Sequence, residues 1–397
     1  MQDNIIKKKF GLPLELYKIL IWALILRVIL FLIVINTSDP FIIVDDRNYE
    51  EIAVTYLKLA HSIWDFSAVN ATGGDGYLQV FWPYVVCVFT KLLNTVYAGR
   101  ILNIFLSLLI IVQTYKLTVL ITGKHKRGLL AARLMAFLPY PLIFSVFNIK
   151  DFYIMFGVIY TFKLLVLWQY GWEVRVRQVI LSIGLLMGVY WARGGVVEFI
   201  AIISGIFLAF RYYKRRQYAW LCFIAFMAIL LIFNLWDEIV GAFDIKLDTY
   251  GDVALMANGL KMIQMRSPAE IYKLPFQYLF SILSPMTISY FSIFSDFSWN
   301  TLLALCNVTV YPISFGCLFY LFMKKHNALF YFVTFTVYII ITAMVLAISR
   351  HYFFLFFLNV INFVCFIDIA NKPAKYMMWS CSGALFIFVL LLSLKDL

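Results

Sequence analysis

The sequence predicts an all-α polytopic membrane protein whose chain crosses the bilayer with roughly eleven helices. Three observations lead there. Of 397 residues, 63% are hydrophobic and 14% charged, whereas ordinary globular chains are about half apolar and about a quarter charged. The apolar residues gather in stretches close to the ~20 residues that the hydrocarbon core of a bilayer requires. The basic residues fall in short runs between those stretches. The 39 Phe and 25 Tyr suit helices that pack against lipid and rings that sit at its boundary.

The first element follows from Lys7, Lys8 and Lys9, which place the amino terminus in the cytoplasm ahead of a span from about Tyr17 to Asn36. No small-residue cleavage site follows that span, so it reads as a retained helix and not as a signal peptide. Residues 37–99 then form a first large external loop with interfacial helices. It holds an acidic opening at Asp45, an amphipathic stretch from Tyr49 to Ala60, a Gly73-Gly74-Asp75-Gly76 turn and an apolar piece from Val80 to Leu93. That last piece is too short for a full span and is read as a helix lying in the interface.

The remaining elements follow by parity. Ile101 to Thr122 returns inward and delivers Lys124, His125, Lys126 and Arg127 to the cytoplasm; the next span exits at Asn148. Arg175 with Arg177, the group Arg211, Lys214, Arg215 and Arg216, the pair Lys324 and Lys325, and Lys372 with Lys375 then all fall inside, as the positive-inside rule requires. Counting Val80 to Leu93 as a span would put them outside. A second large external loop, residues 237–296, contains Pro268, Pro275 and Pro285 and reads as a lid over one continuous membrane domain, residues 1–397.

The net charge of +12 is accounted for by these cytoplasmic runs, so no nucleic-acid-binding face is implied. The six cysteines form no CxxC pair and have no His at ligand spacing, and read as packing residues. The polar residues that the charge rule does not require lie at the outer face: Asp45, Asp46, Arg47 and Tyr49 in the first loop, Lys150 and Asp151 at the exit of the third span, Arg193 and Glu198 at a turn between spans, and Arg350 with His351 at another. Charges at membrane depth cost about 2.5–3.5 kcal/mol each on the lenient insertion scale, so they tend to pair or to serve a ligand. Acids and bases at one level suit a phosphate-bearing substrate, whose oxygens Arg and Lys would hold, together with a carboxylate acting as general base. Arg100 and Arg266 read more simply as interfacial anchors, and Arg27 in mid-span as a residue that snorkels or pairs internally.

The ordered series Asp45-Asp46-Arg47-Asn48-Tyr49, Arg100-Ile101-Leu102-Asn103, Leu138-Pro139, Lys150-Asp151, Gly184 through Trp191-Ala192-Arg193, Ser284-Pro285 and Ser349-Arg350-His351-Tyr352 resembles the GT-C membrane glycosyltransferases, which include lipid-linked mannosyl and aminoarabinose transferases. The resemblance implies a GT-C-like fold with an outward-facing active site, a sugar donor carried on a polyprenyl phosphate, and a glycan, lipid or protein acceptor. It makes Asp45 or Asp46 the catalytic base, and makes Lys150, Arg193 and Arg350 candidates for the donor phosphate with Asp151 as a second acid. It implies no tightly bound cofactor, although a divalent cation on Asp45, Asp46 and Asp151 is an option. Against that family the chain reads as short and as having no soluble carboxy-terminal domain, and it has Arg193-Gly194 where many relatives have Arg-Pro.

Two other readings belong beside it. A polysaccharide repeat-unit polymerase would use the same cationic pocket. A flippase for lipid-linked oligosaccharide would show internal repeats and charges at the midplane, and no repeat is evident. The Phe, Ile and Lys bias suggests a bacterial inner membrane, and the expected role is cell-surface polysaccharide or glycolipid assembly.

Overall fold

The computed structural model describes residues 12–41, 44–63, 65, 81–214, 272–273, 299, 309–323 and 353–395. These residues are mostly helical, with no strand among them. Three of the helices are long and apolar enough to cross a membrane: α1 (Leu14–Ile35), α4 (Ala98–Thr122) and α7 (Asp151–Gln169). Between them lie α2 (Val44–Leu59), α3 (Phe81–Leu93), α5 (His125–Phe137) and α6 (Pro139–Phe144). After them come α8 (Val176–Ala192), α9 (Gly194–Lys214), α10 (Tyr311–Met323), α11 (Phe356–Ile369) and α12 (Lys372–Lys395). The second external loop lies outside the described residues apart from 272–273, as do Arg350 and His351.

The chain divides into two compact units. The first comprises Met1–Val197, Phe294–Val310 and Phe354–Ile369, and α4 is its hub, packed against α1, α3, α5, α7 and α11. In the second, α10 packs against α12. Helix α1 starts behind Pro13, which is extended and lacks the N–H that a helix start leaves unpaired. It leaves Leu14, Ile21, Trp22 and Leu32 exposed, the pattern of a helix that faces a nonpolar solvent.

Arg27 of α1 is wholly buried. Its Nε donates to Ser107 Oγ at 2.8 Å, and Nη1 donates to the carbonyls of Ala23 and Ala136, each at 3.1 Å. It therefore pairs internally and ties α1 to α4 and α5.

Helix α4 ends at Gly123, whose φ of +69° is the left-handed cap that glycine adopts without a Cβ penalty. The chain turns there and α5 runs back along α4. Gly128 permits the close approach, since a Cβ on it would lie 2.5 Å from Val119 and 2.8 Å from Tyr115.

The third span expected from the sequence is broken. Pro139 cannot continue the α5 ladder and forces Leu138 into an extended conformation (φ −60°, ψ 133°), so α5 stops and the short α6 restarts with proline in its first turn. Residues 145–150 then form an irregular knot before α7. Helices α4 and α7 run parallel: Asn103 near the start of α4 bonds the knot just ahead of α7, and Gln113 further along α4 bonds Lys163 further along α7. Helix α8 returns antiparallel to α7 through Thr161···Ser182 (2.8 Å) and Tyr153 Oη donating to the Leu185 carbonyl (3.1 Å). Helix α11 joins this unit by aromatic contacts, Phe357 on Phe162 and Phe356 on Tyr140, and by Asp368, which is gripped by Lys124 and Arg127.

Candidate functional site

Buried polar groups converge where the amino-terminal ends of α4 and α7 meet α2 and the end of α8. Arg100, in the first turn of α4, is wholly buried. Its guanidinium reaches Glu50 of α2 through Nε at 2.8 Å and Nη2 at 2.7 Å, lies 3.7 Å from Asp46 Oδ2, and donates through Nη1 to the Pro40 carbonyl at 3.0 Å. The rings of Phe41 and Phe147 sit 5.5 and 5.6 Å from its Cζ, favourable cation–π contacts. One arginine thus faces two carboxylates one helical turn apart on α2, a spacing that puts both on the same face.

Asp46 is wholly buried, and its Oδ1 accepts the backbone N–H of Asn148 at 2.7 Å. The knot is held from three sides. Asn103 Nδ2 donates to the carbonyls of Phe147 (2.6 Å) and Ile149 (2.7 Å), and Trp82 Nε1 donates to Asn148 Oδ1 at 3.1 Å. The Asp46 and Asn103 bonds satisfy backbone groups that no helix serves, and the Trp82 bond fixes the Asn148 side chain. Gly99 leaves the room this requires, because a Cβ there would lie 2.3 Å from Asn148 Oδ1.

Lys150 and Asp151 follow directly, both buried, with Lys150 at the cap position of α7 and Asp151 its first residue. Asp151 Oδ1 is 3.4 Å from Nη2 of Arg193, the residue that ends α8. Nη1 of Arg193 is buried with no hydrogen-bond partner among the described residues. The site therefore contains three acids, Asp46, Glu50 and Asp151, and three bases, Arg100, Lys150 and Arg193. Burial raises the Glu50 carboxyl above its ordinary value, and the facing Arg100 guanidinium opposes that rise.

The structure brings together Asp46, Lys150, Asp151 and Arg193 from the sequence-derived set, with Tyr49 buried beside them on α2. Arg47 instead faces exposed Asp39 at 3.4 Å, and Glu198 is exposed on α9. The side chain of Asp45, and Arg350 and His351, lie outside the described residues. Two members were missed in the sequence. Glu50 belongs to a stretch that reads as an amphipathic surface helix. Arg100 reads as an interfacial anchor, whereas here it is buried and doubly paired. Their separation of fifty positions leaves no local signal.

Among the described residues, no three His, Cys, Asp or Glu side chains are placed so that they could hold one metal ion. Asp46 and Asp151 each face an arginine, and the side chain of Asp45, the third carboxylate of the divalent-cation option, lies outside the described residues. Cys87 of α3, buried with Tyr56 and Ala60, has its thiol pushed up to about 12 by desolvation, which leaves it an inert packing group. Comparison with protein-family models, with curated proteins and with solved structures finds no match to this chain.

Proposed function

We propose that this chain is an integral membrane glycosyltransferase of the GT-C type, one that moves a sugar from a polyprenyl-phosphate carrier to an acceptor hydroxyl at the outer membrane face. On this reading, roughly eleven helices cross a bacterial inner membrane. The observation that carries the proposal is the convergence of Asp46, Lys150, Asp151 and Arg193 with Arg100 at one end of α4 and α7. Buried charge of both signs at a helix terminus is costly to maintain and is characteristic of a substrate site.

In the proposed reaction Asp46 takes the proton of the acceptor hydroxyl as its oxygen bonds to the anomeric carbon. The bond from that carbon to the phosphate oxygen breaks, and the electron pair leaves with the polyprenyl phosphate. The leaving phosphate needs no general acid, because Lys150 and Arg193 neutralise the charge it gains; one well-placed donor of this kind is worth about 3–4 kcal/mol. Arg100 touches neither donor nor acceptor in this scheme. It faces the Asp46 carboxylate and sets its direction, with the Asn148 N–H fixing the second oxygen.

The test is transfer by purified protein from a panel of polyprenyl-phosphate-linked sugars, comparing native chain with Asp46→Asn. Asparagine retains an oxygen for the Asn148 N–H, so a folded Asp46→Asn protein with no transfer supports the reading. Full activity of the variant, or no transfer from any donor by the native chain, overturns it.

A further inference from the structure

The line of bonds that ends on Asp46 begins in α3. Trp82, the second residue of that helix, is wholly buried, and its Nε1 donates to Asn148 Oδ1 at 3.1 Å. The backbone N–H of Asn148 donates in turn to Asp46 Oδ1 at 2.7 Å. A tryptophan of one helix and an acid of another are thus joined through a single residue of the knot.

Trp82 is itself held in place. Its ring centre lies 6.3 Å from that of Tyr153, and the ring of Phe81 beside it lies 5.2 Å from Tyr153 and 6.2 Å from Trp191. Tyr153 is anchored by its bond to the Leu185 carbonyl. Gly188 keeps this bed open, since a Cβ there would lie 2.7 Å from Phe81 Cζ and would run into Tyr153 Oη. The first turn of α3 therefore rests on α7 and α8, the helices that Asp151 begins and Arg193 ends. A donor fixed by packing of this kind can orient a functional group at one remove.

Asn148 has little freedom to absorb the loss of that donor. It is buried, the α4 backbone at Gly99 lies close against its amide, and the carbonyls of Phe147 and Ile149 on either side are fixed by Asn103. A buried acceptor deprived of its donor carries the full desolvation cost of that group. The amide must then turn to find another partner, and the N–H that holds Asp46 moves with it.

We propose that Trp82 is a positioning residue for the general base: its indole N–H fixes Asn148, and the Asn148 N–H sets the direction of the Asp46 carboxylate toward the acceptor hydroxyl. Trp82 touches neither donor nor acceptor in this scheme. A misplacement of about 1 Å can cost 10²-fold in rate even when the altered residue is far from the chemistry, so a bond one residue removed from the base matters to turnover. The inference rests on the reading of Asp46 as base and adds a residue to that site.

The experiment compares full-length native protein with Trp82→Phe, which keeps an aromatic ring and has no N–H. The substrate is the polyprenyl-phosphate-linked sugar on which the native chain turns over, and the same labelled sugar counts the donor-binding sites in each preparation. Expressed per donor-binding site, kcat of Trp82→Phe should fall by about 10- to 10²-fold, with KM for the donor changed less than about twofold. A merely structural role lowers the number of binding sites and leaves kcat per site unchanged, and that result overturns the proposal. So does a loss that lies in donor KM alone. Should Trp82→Phe not fold, Asn148→Ala removes the acceptor of the same bond, keeps the backbone N–H and adds no bulk; it should show the same fall in kcat per site, and an unchanged kcat there overturns the proposal equally. Failure of the underlying reading looks different: the native chain transfers from no donor, or Asp46→Asn keeps full kcat. A silent Asp46→Asn beside a fully active Trp82→Phe sinks only the role of Trp82.

Discussion

Two arginines of the same structural unit are both wholly buried, yet their removal should have unequal consequences. Arg100 faces two carboxylates. Arg100→Met would strand Asp46 and Glu50 without a counter-charge, which costs about 3–5 kcal/mol, and a thermal melt should show a large loss. Arg27 faces only neutral acceptors. Ser107 keeps its bond to the Ile104 carbonyl and the Ala23 carbonyl lies inside α1, whereas the Ala136 carbonyl, in the last turn of α5, loses the donor that Arg27 supplies. Arg27→Met removes a desolvated charge and deprives one neutral acceptor, so melting should fall by less than in Arg100→Met; a drop as large as that of Arg100→Met would contradict this account. At Asp46, loss of a general base should lower transfer by about 10²–10⁴-fold without lowering the melting temperature comparably. Glu50 gives a pH test. Its carboxyl is raised in the folded state, so the folded chain binds that proton more tightly than the unfolded one. The stability it contributes is complete below its ordinary value of about 4.5 and is lost as pH rises through the higher folded value. Melting followed upward from pH 4.5 should therefore decline in the native chain and lose that decline in Glu50→Gln.

Elements meet at glycine positions that leave no slack. Gly99→Ala would drive a methyl into Asn148 and should cost about 1–3 kcal/mol. Because Asn148 also holds Asp46, activity should fall with stability, and a variant of full stability and full activity would show that the knot is not rigid. Much of this junction is legible in the sequence. Asp46, Lys150, Asp151 and Arg193 stand at the ends of apolar stretches, where the charge rule has no use for them. Glu50 and Arg100 are not legible, since each has a sufficient local explanation and their pairing is a long-range fact. The break at Leu138-Pro139 is visible as a dipeptide. Its outcome, two helices in place of one span, depends on how tightly α5 is already packed against α4. The knot at 145–150 has no periodicity to read, because three of its backbone groups bond side chains of other helices.

At the scale of the whole molecule, the charge rule predicts that Asp39 lies outside and Lys124 inside, and both are well exposed in the structure. Against a cysteine-free background, Asp39→Cys should react with an impermeant thiol reagent in intact cells and Lys124→Cys only after permeabilisation; the reverse pattern would invert the topology. The knot also has a consequence for the order of synthesis. The chain emerges from its amino terminus, so Asp46, Glu50 and Arg100 are present well before residues 145–151 that cover them, and Arg193 arrives later still. During that interval the early acids need a companion, and Arg100 is the first cation of α4 to arrive. A nascent chain stopped just past Thr122 would already hold Arg100 against both carboxylates, one positive charge short of balance until Lys150 arrives. Arg100 would then serve as an escort for a carboxylate during biogenesis before it serves as its neighbour in the finished protein.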